Sequence, residues 1–312
     1  MIYKKPYDLK GELHMEISIY QIDAFSHKTF GGNPAGVVLD AEYLTEDIMQ
    51  NIAKEMNLSE TAFVTLKNDN LFTVRFFTPV CEVDLCGHAT IATFYTLAKL
   101  RYIKPIYNGI KRVYQNTKVG RLSVDIVFKN GEVDKIFMEQ ATPKEIDTAV
   151  NIFSLTRSMG IEMEDIGVLD NIIYPEIIST GLPDIILPIN KREVLDNLDI
   201  NMRELADISQ QLNVTGIHTF YLPKVNSEFV YTRNFAPAVG IDEEAATGTS
   251  NGALIYFLKK NNLIVDNSII SYQGQSMNRP STIYCQIEGD MENPIIKVGG
   301  NAKIVIKGTI FI

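Results

Sequence analysis

Arg75-Phe-Phe-Thr-Pro79 leads through an acidic stretch into Cys86-Gly87-His88-Ala89 and an apolar run over 90–100, and the pattern returns once. In its second appearance, Arg233-Asn-Phe-Ala-Pro237 leads into Thr247-Gly248-Thr249-Ser250 and a run over 251–261. The prolines (79 and 237) lie 158 residues apart and the glycines (87 and 248) 161, so a three-residue insertion in the second connection separates otherwise matching units. Each unit reads as strand, acidic loop, small-residue turn, apolar helix. Two such units imply two similar lobes whose helix N-termini face each other across a cleft.

Around the repeat the chain is rich in short β-type runs, at 17–24, 61–66, 72–77, 122–128, 176–179, 218–222, 229–235, 281–287 and 303–310, with the β-branched and aromatic enrichment of strands. Helical signals are fewer. Leu44, Ile48, Met49, Ile52, Ala53 and Met56 follow the 3.6-residue period, with Thr45 placed to cap and Glu46 and Asp47 in the first turn. Two more helices start near Gly87 and Gly248. Many strands, few helices and no regular βαβ alternation predict an α+β fold rather than a doubly wound sheet.

The 312 residues are 46% hydrophobic and 21% charged, enough for two ordinary domains with a sizeable core. A net charge of −9 excludes a broad basic nucleic-acid surface. No apolar stretch approaches the ~18–20 residues that span a bilayer. Residues 1–14 mix Lys with Asp and Glu and lack the apolar segment of a signal peptide, so they read as a dispensable extension before Met15. Three cysteines, Cys81, Cys86 and Cys285, suit a reducing cytoplasm better than a disulfide framework, and all three read as core residues. His14, His27 and His218 show no metal-ligand spacing with one another or with the cysteines, and no metal or cofactor is expected. A homodimer is the default oligomeric state.

Helices that open on Gly-His-Ala and Gly-Thr-Ser carry small residues where the first N–H groups lack intrahelical partners, which makes each a ready carboxylate site. The plainer reading is ordinary N-capping by Thr249 or Ser250. Ser59-Glu60-Thr61 joins the first helix to a strand. A glutamate in such a loop is either solvated or, if shielded in a cleft, a proton-transfer group with an altered pKa. His88 stands at a helix start, where the dipole favours neutral imidazole that hydrogen-bonds or relays a proton. Gly248-Thr249-Ser250-Asn251-Gly252 matches the G-x-S-x-G nucleophile elbow, but Asp242–Ala246 rather than a buried strand precedes it and no histidine follows His218. A serine hydrolase using Ser250 is therefore the weakest alternative.

Phe30-Gly-Gly-Asn-Pro-Ala-Gly36, Leu58-Ser-Glu-Thr-Ala-Phe63, Phe77-Thr-Pro79 with Val83-Asp-Leu-Cys-Gly-His-Ala-Thr90, and Ala245-Ala-Thr-Gly-Thr249 occur in this order. With Ser179-Thr-Gly-Leu-Pro183, Phe235-Ala-Pro237 and Gln273-Gly through Met277-Asn-Arg-Pro-Ser281, they resemble the phenazine-biosynthesis F-type (PhzF-like) family from about Met15 to the C-terminus. The resemblance implies a diaminopimelate-epimerase-like fold: two pseudo-symmetric lobes, each with β-strands wrapped around a central helix, and the active site in the cleft between them. On that expectation residues 15–130 form the first lobe, completed by the strand near 303–312, and 131–302 form the second.

The resemblance further implies a cofactor-independent isomerase that moves a proton between carbons of a dihydro-hydroxyanthranilate-like acid. Glu60 stands at the family's acid/base position, His88 at its histidine and Glu244 where the family carries an aspartate; Thr249 replaces its serine. These departures leave the catalytic class in place and point to a different substrate. A small anionic substrate would be held by the backbone at Gly87, Ala89, Gly248 and Ser250 together with Thr249, with Ser59 orienting Glu60. Racemases of this fold oppose two thiols, one at each helix start. Here Cys86 faces Thr247, whose hydroxyl is far too weak an acid to serve as a thiolate-like base. The alternative of another class is a carboxylate-binding protein that kept the fold without the chemistry.

Overall fold

The structure, a computed structural model, describes residues 15–312 apart from Asp170. The extension expected at 1–14 lies outside the described residues.

Both halves of the chain trace the same strand path. In the first, Glu16–Ala24 pairs antiparallel with Asn33–Val38, which lies parallel to Thr61–Asn68. That strand turns back along Leu71–Phe77, which runs parallel to Gly109–Thr117, and a meander continues through Gly120–Lys129 to Glu132–Glu139. In the second, Glu176–Ser179 pairs antiparallel with Pro183–Pro188, which lies parallel to Gly216–Tyr221. That strand turns back along Phe229–Ala236, parallel to Ser268–Gln273, and the meander ends through Ser281–Glu288 at Ile295–Gly300. Parallel and antiparallel pairings recur in the same order, so the repeat read from two short motifs extends through the whole fold.

The halves join where their last meander strands meet, Glu132–Glu139 against Ile295–Gly300. Each half also borrows its outer strand. Lys144–Ile146 adds to Glu176–Ser179, and the C-terminal Ala302–Phe311 returns to Glu16–Ala24. Glu132–Glu139 pairs with Gly120–Lys129 on one edge and with Ile295–Gly300 on the other.

The two helices of the repeat are Gly87–Lys99 and Gly248–Lys260. Both are apolar or small on nearly every side, and a helix without a polar face is stable only when surrounded. Ile91, Phe94 and Leu97 of the first and Leu254, Phe257 and Leu258 of the second lie in one continuous core that the strands wrap. Glu46–Met56 is the opposite case. Thr45 caps it through Ile48 N, and only Met49, Ile52 and Ala53 are buried, so it covers the outside of the first half. Met202–Leu212 does the same in the second, packing Leu205 and Ile208 on the sheet. Among the described residues no helix is long and apolar enough to cross a membrane.

One cysteine departs from expectation. Cys285 and Cys86 are buried, but Cys81 is exposed. It closes a tight turn in which its carbonyl accepts from Thr78 N and its own N–H donates to Thr78 Oγ1, so backbone demands, not packing, fix that position.

Candidate active site

Four segments converge between the halves. The loop after Glu46–Met56 delivers Glu60, the first turn of Gly87–Lys99 delivers His88, the end of the short strand Ile241–Glu244 delivers Glu244, and the Phe30–Gly32 loop presents Asn33 at the start of Asn33–Val38. The glycines of that last loop are steric necessities. Gly32 has φ +66°, and a Cβ there would lie 2.1 Å from the Ala24 carbonyl oxygen; a Cβ on Gly31 would lie 2.6 Å from Ser26 Oγ.

His88 is the hub. Its Nε2 lies 3.1 Å from Glu60 Oε2, its Nδ1 4.0 Å from Glu244 Oε1, and Nδ1 is also 3.4 Å from Cys86 Sγ. The His88–Glu60 contact is an ion pair by distance rather than a directed hydrogen bond, because the ring is out of line with the oxygen; neither atom has another partner among the described residues. His88 is 5% exposed, whereas the Glu60 and Glu244 side chains keep 19% and 20% of their surface open to the cleft.

These contacts reverse the expected charge of His88. Burial disfavours imidazolium, but the Cys86 sulfur and the Glu60 carboxylate on either side more than offset it and hold His88 well above its ordinary pKa. Of the two, Glu60 is the one that is anionic at neutral pH, because burial pushes the Cys86 thiol up to about 11. An imidazolium and a carboxylate 3.1 Å apart attract by about 5 kcal/mol at an effective dielectric constant of ~20. A helix terminus contributes only about 0.3–1 kcal/mol, which is why the dipole argument for a neutral ring fails here. For Glu60, burial raises the pKa, yet the His88 charge outweighs it and leaves the carboxyl below its ordinary value. Glu244 goes the other way: burial raises it beyond what His88 and the hydrogen bonds from Thr247 and Asn33 recover. The site therefore holds two carboxylates with opposite displacements on either side of one ring, an arrangement suited to moving protons.

Glu60, Cys86 and His88 offer ligand atoms within 4.8 Å of one another. The nearest contacts run from Glu60 to Nε2 and from Cys86 to Nδ1, so the three side chains also form a relay through the ring.

Neither helix start is capped by a side chain. Cys86 and Thr247 hold the equivalent N-cap positions, and the capping expected of Thr249 or Ser250 does not occur. The first-turn N–H groups at Gly87, Ala89, Gly248 and Thr249 are thus donors of the kind that bind carboxylates. The Ala89 side chain is wholly buried, so only its backbone can serve. Thr249 is half-buried with its methyl against Gly181, and its carbonyl accepts from Thr180 Oγ1 at 2.8 Å.

Two expectations need correction. The Ser250 hydroxyl is fully buried and donates to Asp184 Oδ2 at 2.5 Å, so it faces the core and cannot act as a nucleophile or touch a substrate in the cleft. Ser59 is exposed and forms no hydrogen bond with Glu60 among the described residues, so it does not orient that carboxylate. Conversely, sequence reasoning passed over Asn33 and Gln273 and weighed Thr247 only as a base. Thr247 Oγ1 donates to Glu244 Oε2 at 2.8 Å, and Gln273 Nε2 donates to the Glu244 carbonyl at 2.8 Å and to Thr247 Oγ1 at 3.2 Å. Asn33 and Gln273 both lie inside motifs quoted above; their polarity within glycine-rich turns was the available signal.

The chain matches the family model described as phenazine biosynthesis-like protein over residues 22–308. It is 37% identical over 302 residues to a Clostridium acetobutylicum protein named an uncharacterized isomerase, covering 93% of this chain and 96% of that one. It is 29% identical over 292 residues to the trans-2,3-dihydro-3-hydroxyanthranilate isomerase of Pseudomonas fluorescens, covering 93% and 97%. The crystal structure of a Bacillus anthracis phenazine biosynthesis protein of the PhzF family superposes with a TM-score of 0.83 at 30% identity, over 96% of this chain and all of that one.

Proposed function

The chain belongs to the phenazine biosynthesis-like (PhzC-PhzF) family, an isomerase family, and from that premise we propose that it is a cofactor-independent isomerase that shifts a proton between two carbons of a small unsaturated carboxylic acid. The observation that carries the reading is the Glu60 carboxylate, kept ionised 3.1 Å from His88 Nε2 at the edge of the cleft. Glu60 takes a proton from a carbon made acidic by conjugation and returns it to another carbon on the same face; the double bonds rearrange and no net redox change occurs. The imidazolium of His88 steadies Glu60 while it is anionic and, through Nδ1, links it electrostatically to Glu244. The uncapped starts of the two repeat helices hold the substrate carboxylate and the negative charge that spreads into the conjugated system after deprotonation. A dihydro-hydroxyanthranilate is the substrate class to try first, following the name of the Pseudomonas fluorescens relative. Glu244, one methylene longer than aspartate, and the Thr249 methyl both narrow the carboxylate end of the cleft, which favours a smaller or differently placed acid group.

The test is proton NMR in D₂O with purified protein and a panel of dihydro-hydroxyanthranilates and related unsaturated acids, with Glu60→Gln alongside. Isomerisation or deuterium uptake that disappears in Glu60→Gln is the expected result. Equal activity in the variant would rule out the mechanism.

A further inference from the structure

We propose that Asn33 is a positioning residue that keeps the Glu244 carboxylate ionised beside His88, so that the active site is electrically complete only when the two lobes are joined. The proposal rests on the reading of the site as a Glu60-centred proton-transfer centre.

Asn33 comes from the first lobe and is 4% exposed. Its Nδ2 donates to Glu244 Oε1 at 2.8 Å and to the Ala246 carbonyl at 3.0 Å, both on the second lobe. The second contact settles which way the amide faces, because only an N–H group can approach a backbone carbonyl oxygen. The other Glu244 oxygen, Oε2, accepts from Thr247 Oγ1. Thr247 Oγ1 itself accepts from Gln273 Nε2, whose orientation is fixed by its second bond to the Glu244 carbonyl; of these two neighbours only the Glu244 carboxylate can take the threonine proton. Both oxygens of Glu244 thus meet donors. These surroundings favour the ionised form, since Asn33 Nδ2 can only donate and a proton on Oε2 would force the Thr247 hydroxyl to turn its own proton away.

Opposing charges make these donors decisive. His88, from the first lobe, favours ionised Glu244, while burial and the Glu60 carboxylate oppose it. Asp184, on Pro183–Pro188 behind the turn, adds a second acidic group within electrostatic range. Losing the Asn33 amide shifts this balance toward neutral Glu244, which removes a negative charge 4.0 Å from His88 Nδ1.

The loop that presents Asn33 is gripped from the second lobe in return. Arg279 donates to the carbonyls of Gly32 and Gly31 at 2.8 and 2.9 Å and to Asp23 Oδ1 at 2.8 Å, and Asp23 Oδ2 accepts from Phe30 N at 2.7 Å. Each lobe therefore fixes a group that the other one needs.

The test uses the full chain and two readouts: the imidazole titration of His88 by NMR without substrate, and kcat and KM as functions of pH. In Asn33→Ala the His88 midpoint falls toward its ordinary value. At neutral pH kcat drops about tenfold with KM changed less than about threefold, the scale of one charge-assisted hydrogen bond, and the acid limb of kcat moves to higher pH. A folded Asn33→Ala protein with an unmoved His88 midpoint and an unmoved acid limb overturns the proposal, as does a loss of kcat with no shift of either. If Asn33→Ala does not fold, Thr247→Val, which removes the other donor at nearly constant volume, carries the same expectations and the same refutation. Glu60→Gln separates the two claims. If it stays active the Glu60-centred mechanism falls, whereas the His88 titrations still judge Asn33 on their own.

Discussion

Replacing Arg279 with methionine removes a guanidinium that spans three acceptors of the other lobe, the carbonyls of Gly31 and Gly32 and the carboxylate of Asp23. The Asp23 side chain is 2% exposed and that of Arg279 28%, so one partner is buried and the other only partly screened. Methionine fills much of the same volume but leaves Asp23 with the Phe30 N–H as its remaining donor among the described residues. Stranding a buried charge in this way costs about 3–5 kcal/mol. Unfolding entropy near ~2.1 cal/mol/K per residue gives this chain about 0.65 kcal/mol per degree, so Tm falls by roughly 5–8 °C. Differential scanning calorimetry of the single change beside Asp23→Asn/Arg279→Met checks the cause, because neutralising Asp23 removes the stranded charge. The double variant is then less destabilised than the sum of its two single changes by about 1–3 kcal/mol. A single-variant shift below about 1 °C, or additivity within about 0.5 kcal/mol, would refute the view that Arg279 neutralises a buried carboxylate across the lobe boundary.

Three further outcomes follow from the site. In a pH–rate profile of kcat/KM, the acid limb lies above the ordinary carboxylate value of 4.5, set by Glu244, which burial raises, because Glu60 is depressed and ionises first, and the basic limb lies above 6.5, since the required imidazolium of His88 is raised; a basic limb at or below 6.5 contradicts the assignment. The wild-type protein stays unlabelled by fluorophosphonate probes, and Ser250→Ala keeps its isomerase kinetics but loses about 1–3 kcal/mol of stability in urea unfolding because buried Asp184 loses its hydroxyl donor. Iodoacetamide at neutral pH modifies exposed Cys81 in the native protein and spares Cys86, whose thiol is buried and pushed up to about 11; mass spectrometry of the labelled peptides decides this.

The fold was legible where local pattern and tertiary role agree. The two Gly-initiated apolar helices, the Thr45-capped amphipathic helix and the β-branched strands all lie where the sequence puts them, because burial on all sides, on one side or on a sheet each leaves its own periodicity. Asn33–Val38 was invisible for the opposite reason. Its Asn-Pro-Ala-Gly composition is that of a turn, yet Gly36 is needed because a Cβ there would meet Thr61 Oγ1 at 2.6 Å on the neighbouring parallel strand. Lys144–Ile146 has only three residues and no apolar alternation; it is a strand only because the edge of Glu176–Ser179 is there to receive it.

At the site, the sequence offered Glu60, His88 and Glu244 as candidates but not their electrostatics. The charge of His88 depends on a carboxylate 28 residues upstream and another 156 downstream, and no local rule weighs these against a helix dipole. Asn33 and Glu244 are 211 residues apart, and only closure of the lobes brings them together. Ser250 shows the converse: a motif that is local and complete in sequence, with a hydroxyl that the helix turns into the core.

The most direct test of the central claim follows a label through one turnover. A dihydro-hydroxyanthranilate-type substrate found active in the panel is deuterated at the carbon that loses its proton and converted in H₂O, with the product read by mass spectrometry and NMR. A single carboxylate that takes and returns the proton on one face predicts that part of the deuterium reappears at the new position in the same molecule, and that Glu60→Gln gives neither product nor transfer. Product carrying only solvent hydrogen at that position, formed at the wild-type rate by Glu60→Gln, would contradict it.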